Sequence, residues 1–256
     1  MAEPAYPSIF PLGDSAVTLD LGNYIDEQHN ALAVAIQEWL EIHRFPGVED
    51  ILTAYSSVSV HYNPSLAAAA WPRNQAGEGP FPREGIYPRV RMLLEQAWRE
   101  VTGEGTFWPN VHEGNGRSFR IPVCYEREYA PDLSWVAAGL GLTAEEVIGI
   151  HATPVYRVYM IGFLPGFPYL GRLDERLQVP RKPQPVNVTA GGVGIAGVQT
   201  GIYPLTSPGG WHIIGRTPVK LFNPDADPPV RLLSGDYVQF YPVSLSEFRQ
   251  LSARPA

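Results

Sequence analysis

Two arginines stand out by their setting. Arg181 and Arg216 each lie in a turn-rich, otherwise apolar part of the run Gly162 to Pro218. A guanidinium so placed can grip a carboxylate or phosphate through two parallel N–H bonds, or it can tie loop carbonyls together. Trp211, Tyr203, Phe163 and Phe167 bring aromatic faces to the same run, either to line an apolar pocket or to fill the core. For Phe163 and Phe167 the core is the expectation. His151 ends a predicted helix, where the helix dipole favours its cation. The strand after it leads directly into Gly162, and that position gives the imidazole a functional reading.

Several other chemistries find no support. Gly192-Val-Gly-Ile-Ala-Gly197 fits the dinucleotide pattern, but Val198-Gln-Thr-Gly-Ile-Tyr-Pro204 cannot continue as the required helix, so a strand with close backbone contacts is predicted. No phosphate-binding G-x-x-x-x-G-K-[ST] occurs, so the chain offers no standard cradle for ATP. The six histidines form no H-E-x-x-H or H-x-H pair, and no metal ligands are evident. The nucleophile elbow G-x-S-x-G is absent, and Ser207 reads as a turn residue. Cys124 is the single cysteine, which excludes an internal disulfide; its Ile-Pro-Val-Cys-Tyr context predicts a buried structural thiol.

The chain has 256 residues, 45% hydrophobic and 18% charged, with a formal net charge of -7. That balance supplies a core, and the acidic surplus argues against nucleic acid or an anionic membrane as partner. No run approaches the roughly 20 apolar residues of a membrane span, and Met-Ala-Glu-Pro is not a secretory leader, so a soluble cytoplasmic protein is expected.

Along the chain, a small α+β domain is expected over residues 1–105, a linker over 106–117 and a mainly β domain over 118–256. The first contains a strand from Ile9 to Leu21 with a turn at Gly13-Asp14, and an amphipathic helix from Asp26 to Arg44. A hairpin over Val48 to Tyr62 and a second helix from Pro88 to Val101 follow. Ser65 to Gly85 reads as an irregular insertion. In the second, a strand from Ser118 to Tyr125 precedes a short helix started by Pro131-Asp132, and Thr143-Ala-Glu-Glu146 has the form of a capping box. Strands are predicted at Val155 to Phe163, Val219 to Phe222, Val230 to Leu233 and Tyr237 to Tyr241, then a terminal helical turn at Leu245 to Leu251.

Taken in order, His151, Tyr156-x-Val158, Gly162-Phe-x-Pro-Gly-Phe-x-Tyr-Leu170, Pro180-Arg181, Ala190-Gly191, Val193-x-Ile-Ala-Gly197, Gln199-Thr-Gly-Ile-Tyr-Pro204, Ser207-Pro-Gly-Gly-Trp211 and Ile214-Gly-Arg-Thr-Pro218 form a recognisable series. It resembles the allophanate hydrolase subunit 1 family, which includes the B-type component of 5-oxoprolinase and the Kip-type histidine-kinase inhibitor. The resemblance is dense from about Ile121 to Phe240. It implies a cyclophilin-like β-barrel for residues 118–256 and a small α+β domain before it. It also implies partners, a subunit 2 that is the C-type component of 5-oxoprolinase and a LamB/YcsF-type protein as the A-type component, which together open 5-oxoproline to glutamate with ATP. Arg181 and Arg216 would then hold an anion, His151 would be a proton-transfer or hydrogen-bonding group, and Gln199, Tyr203 and Trp211 would shape the site for a small amide. Inhibition of a sensor histidine kinase and urea- or allophanate-type amide metabolism are the alternatives the same resemblance allows. The chain departs from the family pattern where Val186 follows Pro185, where Thr189 replaces a proline and where Gly192 replaces a serine. These changes remove an arginine and a hydroxyl from the turn-rich region.

Overall fold

The computed structural model describes residues 7–70, 85–103 and 116–253. The chain divides into two compact units, Met1–His112 and Glu113–Ala256. The linker expected over 106–117 falls almost wholly outside the described residues.

In the first unit, β1 (Ser8–Pro11) and β2 (Ala16–Asp20) form a hairpin, and β3 (Val48–Thr53) and β4 (Ser57–Tyr62) form another. They join in one antiparallel sheet of order β1-β2-β4-β3. Helix α1 (Glu27–Ile42) starts where the Asp26 carboxylate accepts from the His29 N–H at 3.0 Å, which satisfies one of the free donors of the first turn. Two further helices follow, α2 (Pro64–Ala70) and α3 (Tyr87–Thr102). Leu32, Ile36 and Leu40 recur every fourth residue of α1 and meet Val90, Leu94 and Ala97 of α3 in one core with Val58 and Val60. Helix α2 occupies the start of the expected insertion, most of which lies outside the described residues. The Asn63 side chain accepts from the N–H groups of Ser65 and Leu66 at 3.0 and 3.2 Å, Pro64 lacks a donor where none is needed, and alanine favours helix.

The second unit contains β5 (Ser118–Val123), α4 (Leu133–Leu140), α5 (Ala144–Ala152), β6 (Val155–Ile161) and β7 (Pro168–Gly171). It continues with β8 (Val186–Val188), β9 (Gly192–Ala196), β10 (Gln199–Ile202) and β11 (Ser207–Gly209). It ends with β12 (His212–Arg216), β13 (Tyr237–Pro242) and α6 (Leu245–Ser252). Seven strands form a sheet of order β12-β9-β10-β7-β6-β13-β5, antiparallel except for β13 with β5, while β8 and β11 pair as a separate two-stranded ribbon. The capping box at α5 is present as expected, with Thr143 and Glu146 each satisfying the other's backbone N–H. The strands predicted at Val219 to Phe222 and Val230 to Leu233 do not form; the two segments meet in a single bridge, Phe222 with Val230. Their backbones exchange only the Arg231 N–H to Leu221 carbonyl bond at 2.9 Å and the Asn223 N–H to Pro229 carbonyl bond at 2.8 Å.

The edge strands of the seven-stranded sheet meet. Cys124 N–H donates to the Arg216 carbonyl at 2.8 Å and Arg216 N–H returns a bond to the Cys124 carbonyl at 3.0 Å, so the sheet curls until its two margins touch at one end. Gly215 permits that contact, because a Cβ there would stand 2.5 Å from Val123 Cγ1 and 3.2 Å from the Cys124 carbonyl oxygen. Cys124 itself is buried, and desolvation pushes its thiol pKa up, as fits a structural thiol. The sheet encloses an apolar core that includes Val123, Val158, Leu170, Ile195, Ile214 and Phe240.

His151 sits inside this core with no exposed surface. The Thr200 hydroxyl donates to the Gly194 carbonyl at 3.1 Å, so it receives the His151 Nε2–H at 2.9 Å, and Nδ1 then accepts from the Tyr125 hydroxyl at 2.9 Å. Both ring nitrogens are satisfied, and the ring stacks on Phe240 at 4.6 Å. Burial pulls the imidazole pKa down to about 3.

Two outcomes follow from these contacts. Gly215→Ala forces apart the closing pair and lowers stability by about 1–3 kcal/mol in denaturant titration. His151 is held neutral in the fold but binds a proton near pH 6.5 when unfolded, so its contribution is complete above that pH and is lost as pH falls from 6.5 toward 3. The expected slope reaches about 1.4 kcal/mol per pH unit, and it disappears in His151→Gln when stability is measured from pH 7 to pH 4.5.

Candidate functional site

The turn before α4, the segment carrying β8 and the end of β12 enclose a cavity of about 290 Å³. Asp132 organises one wall. Its Oδ2 accepts from the Ile213 N–H at 2.7 Å, and its own N–H donates to the Ile213 carbonyl at 3.0 Å, which fastens the head of α4 to β12. The same oxygen takes a bond from Lys182 Nζ at 2.6 Å, an ion pair with both partners largely out of water. Lys182 is held from its backbone as well, since its N–H reaches the Gly210 carbonyl at 2.8 Å and the nearby Pro180 carbonyl accepts from His212 Nε2 at 3.0 Å. Trp135 stacks on His212 at 4.5 Å, nearly parallel, and screens this attachment from solvent.

Arg216 forms the opposite wall. Its backbone closes the sheet, its Nε donates to the Ala190 carbonyl at 2.9 Å, and its guanidinium carbon lies 5.6 Å from the centre of the Tyr129 ring. Of the charges around the cavity, Lys182 is matched by Asp132 and Glu128 lies 3.6 Å from Arg249. Among the described residues Arg216 forms no ion pair, although the charged side chains lining the cavity, Arg216, Lys182, Asp132 and Glu128, sum to zero. Asn187 and Thr189 add exposed polar groups at its rim. An anion with neighbouring hydrogen-bonding groups is the ligand class such a wall receives. Among the described residues no three His, Cys, Asp or Glu side chains are placed to hold a metal.

The other residues singled out from sequence are distributed around this cavity. Trp211 and Tyr203 are buried, with Phe167 set edge-on to both at 5.4 and 5.1 Å, in a cluster that also includes Val188 and Ile213 from the cavity wall. They therefore back the cavity instead of facing it. Phe163, expected in the core, is 64% exposed with φ 68°, an unusual conformation for an aromatic residue. Arg181 is exposed; burial pushes the Tyr169 and Tyr203 hydroxyls up and the Arg181 charge pulls both back, which places its field on the aromatic side. Gln199 is half-buried on β10 between Ala196 and Gly171, and it does not line the cavity. His151 is in the core and does not line the cavity; its ring bonds Thr200 on one side and Tyr125, next to Cys124, on the other. The sequence does not single out Lys182, Asp132 or Tyr129. Asp132 carries a signal, as the start of a helix, but its pairing with Lys182 spans 50 positions.

The run that fits the dinucleotide pattern is strand β9 and the turn after it. A Cβ on Gly194 would lie 3.2 Å from Trp211 Cβ, and one on Gly201 of β10 would lie 3.0 Å from rings of both Phe167 and Trp211. These glycines let neighbouring side chains pack close against the strands, and β9 runs through a turn into β10, so the run does not present a helix N-terminus to a phosphate.

Residues 7–232 match the family described as carboxyltransferase domain, subdomain C and D. The chain is 40% identical over 238 residues to the B-type component of 5-oxoprolinase from Bacillus subtilis, with 93% of each chain covered. It is 49% identical over 131 residues to the corresponding 5-oxoprolinase component of Escherichia coli O157:H7, covering 51% of this chain and 60% of that one. Among solved structures, the fold is similar to that of TTHA0988, at 34% identity and a TM-score of 0.70 over 90% of this chain, which spans 40% of that longer one. The urea amidolyase of Kluyveromyces lactis shares the fold at 19% identity and a TM-score of 0.65, with 94% of this chain and 15% of that chain covered. The curled sheet, the match along nearly the whole described length and the similar relatives agree: the chain belongs to the carboxyltransferase subdomain C and D family.

Proposed function

We propose that this chain is the B-type component of a heteromeric 5-oxoprolinase, and that the cavity between α4, β8 and β12 receives the substrate's carboxylate. The observation that carries this reading is the Arg216 guanidinium on the cavity wall, which forms no ion pair among the described residues, in a chain whose relatives are named as that component of 5-oxoprolinase. 5-Oxoproline carries a carboxylate beside a cyclic amide. Arg216 binds the carboxylate, while Lys182, anchored by Asp132, donates to the amide carbonyl oxygen as negative charge grows there on ring opening. Tyr129 limits the motion of the guanidinium, and Trp211 and Tyr203 stiffen the wall behind it. His151 orients β10 through Thr200 and moves no proton to substrate from its buried position. Arg181, on the aromatic side, and Gln199 contribute to the surface met by a partner or by the rest of the substrate.

The second unit is read as a cyclophilin-like barrel, consistent with its closing bridge. ATP would be supplied through the assembled enzyme, with a C-type component and a LamB/YcsF-type A component as partners. Among the described residues the Gly192 to Gly197 run does not fit the nucleotide: it is strand β9 and a turn leading into strand β10, with no helix after it, and no step of phosphate chemistry is placed here.

The test is 5-oxoproline-dependent ATP turnover by this chain with its partner proteins. Arg216→Met and Lys182→Met are each expected to lower kcat/KM by at least about tenfold; thermal unfolding of Arg216→Met stays near that of the parent protein, whereas Lys182→Met also unfolds at lower temperature because it leaves Asp132 unpaired. No turnover in a mixture whose partners are active with another B-type component would contradict the assignment. Unchanged kcat/KM in both variants would remove the cavity from it.

A further inference from the structure

The carbonyl that holds Arg216 belongs to a turn with supports of its own. Thr189 to Gly192 form a β-turn closed by the Gly192 N–H on the Thr189 carbonyl at 3.0 Å, and Gly191 stands at its third position with φ 85°, as type II geometry requires. The central peptide of the turn joins Ala190 to Gly191, and its oxygen accepts from Arg216 Nε at 2.9 Å. In a type I turn that peptide is flipped over, and its oxygen would point away from the arginine.

Bonds from outside the turn oppose the flip. The Gly191 N–H donates to the Tyr203 carbonyl at 2.7 Å and the Thr217 N–H to the Gly191 carbonyl at 2.9 Å, both from backbone to backbone. The remaining support is a side chain: the Ala190 N–H donates to the Thr206 hydroxyl at 3.1 Å. This bond fixes the peptide before the central one, while the Tyr203 carbonyl fixes the central one, so the direction of the Ala190 carbonyl is set from both sides. Thr206 is exposed, lies outside the apolar clusters and does not line the cavity. Its hydroxyl therefore serves neither the core nor the ligand directly.

With Nε–H committed to Ala190, Nη1 and Nη2 are the Arg216 nitrogens that bond nothing among the described residues. A carboxylate can then meet the two terminal nitrogens end-on, but not the edge that includes Nε. We propose that Thr206 is a positioning residue of the site: by holding the Ala190 N–H it keeps the Ala190 carbonyl on Arg216 Nε and leaves the terminal edge of the guanidinium for the anion. The proposal rests on Arg216 being the carboxylate-binding group.

Thr206→Val removes the hydroxyl at nearly constant size and Thr206→Ser keeps it; both are made in the full chain. In Thr206→Val, solvent exchange of the Arg216 Nε–H, referenced to that of exposed Arg181, is expected to quicken about 3–10-fold, as for one lost hydrogen bond, with Thr206→Ser within about 1.5-fold of the parent protein. With the partner proteins present, KM for 5-oxoproline should rise by a similar factor in Thr206→Val and kcat should stay within about 1.5-fold, because the carboxylate contact is made equally before and during ring opening. Thr206→Ser should restore KM, which a loss of general stability would not predict. Unchanged Arg216 exchange in Thr206→Val overturns the proposal whether or not substrate is turned over. So do an unchanged KM beside a quickened exchange, and a Thr206→Ser variant as impaired as Thr206→Val. Absent turnover of 5-oxoproline by the parent protein with active partners would instead fault the carboxylate assignment, with the exchange measurement still deciding whether Thr206 holds the arginine.

Discussion

Two backbone hydrogen bonds between Cys124 and Arg216 join the margins of the seven-stranded sheet, and the candidate site depends on them. They bring the start of the second unit next to β12, which places the Glu128 to Asp132 turn and the head of α4 against that strand. The closure leaves no room for a side chain at Gly215, and the residue immediately after it is the arginine of the cavity. The same contact therefore shapes the sheet and fixes the backbone from which the guanidinium extends. An arginine rooted at such a point loses little freedom when it binds an anion, because its backbone is already held from both sides.

Around that root the polar groups follow a consistent division. Inside the sheet, the chain Tyr125 to His151 to Thr200 to the Gly194 carbonyl is satisfied at every step, which is the condition for burying such groups without a large cost. Outside it, the Lys182–Asp132 pair anchors one wall and the Arg216 guanidinium forms no ion pair among the described residues. Leaving a guanidinium without a direct acidic partner in a concave, partly dry setting costs stability, and a site that will be filled by an anion is where a fold bears that cost.

Much of the fold is legible in the sequence because its determinants are local. Asp26 ahead of α1, the Thr143–Glu146 capping box and the alternation of Val58, Val60 and Tyr62 each act within a few residues. The α2 helix escapes a sequence reading because alanines carry no amphipathic pattern and its cap is a single asparagine. The segments 219–222 and 230–233 look like ladder strands because they are mostly apolar, although they meet in a single bridge. At the site, Arg216 is recognisable from a turn-rich apolar setting. The fate of His151 is not, since a helix end looks the same in sequence whether it faces solvent or, as here, the core inside the curled sheet. Lys182 and Asp132 gain their meaning only from meeting across 50 positions.

The central claim is that a small anionic amide is held on Arg216 and Lys182. It is tested most directly by following the arginine Nε–H and lysine resonances of the labelled protein during titration with 5-oxoproline. Saturable shifts at the Arg216 Nε–H, at Lys182 and at the Thr189 amide, absent when the carboxylate is replaced by a neutral amide, are the predicted result. Shifts that bypass these groups and gather around Arg181 and Tyr169, or no saturable shift with the partner proteins present, would contradict it.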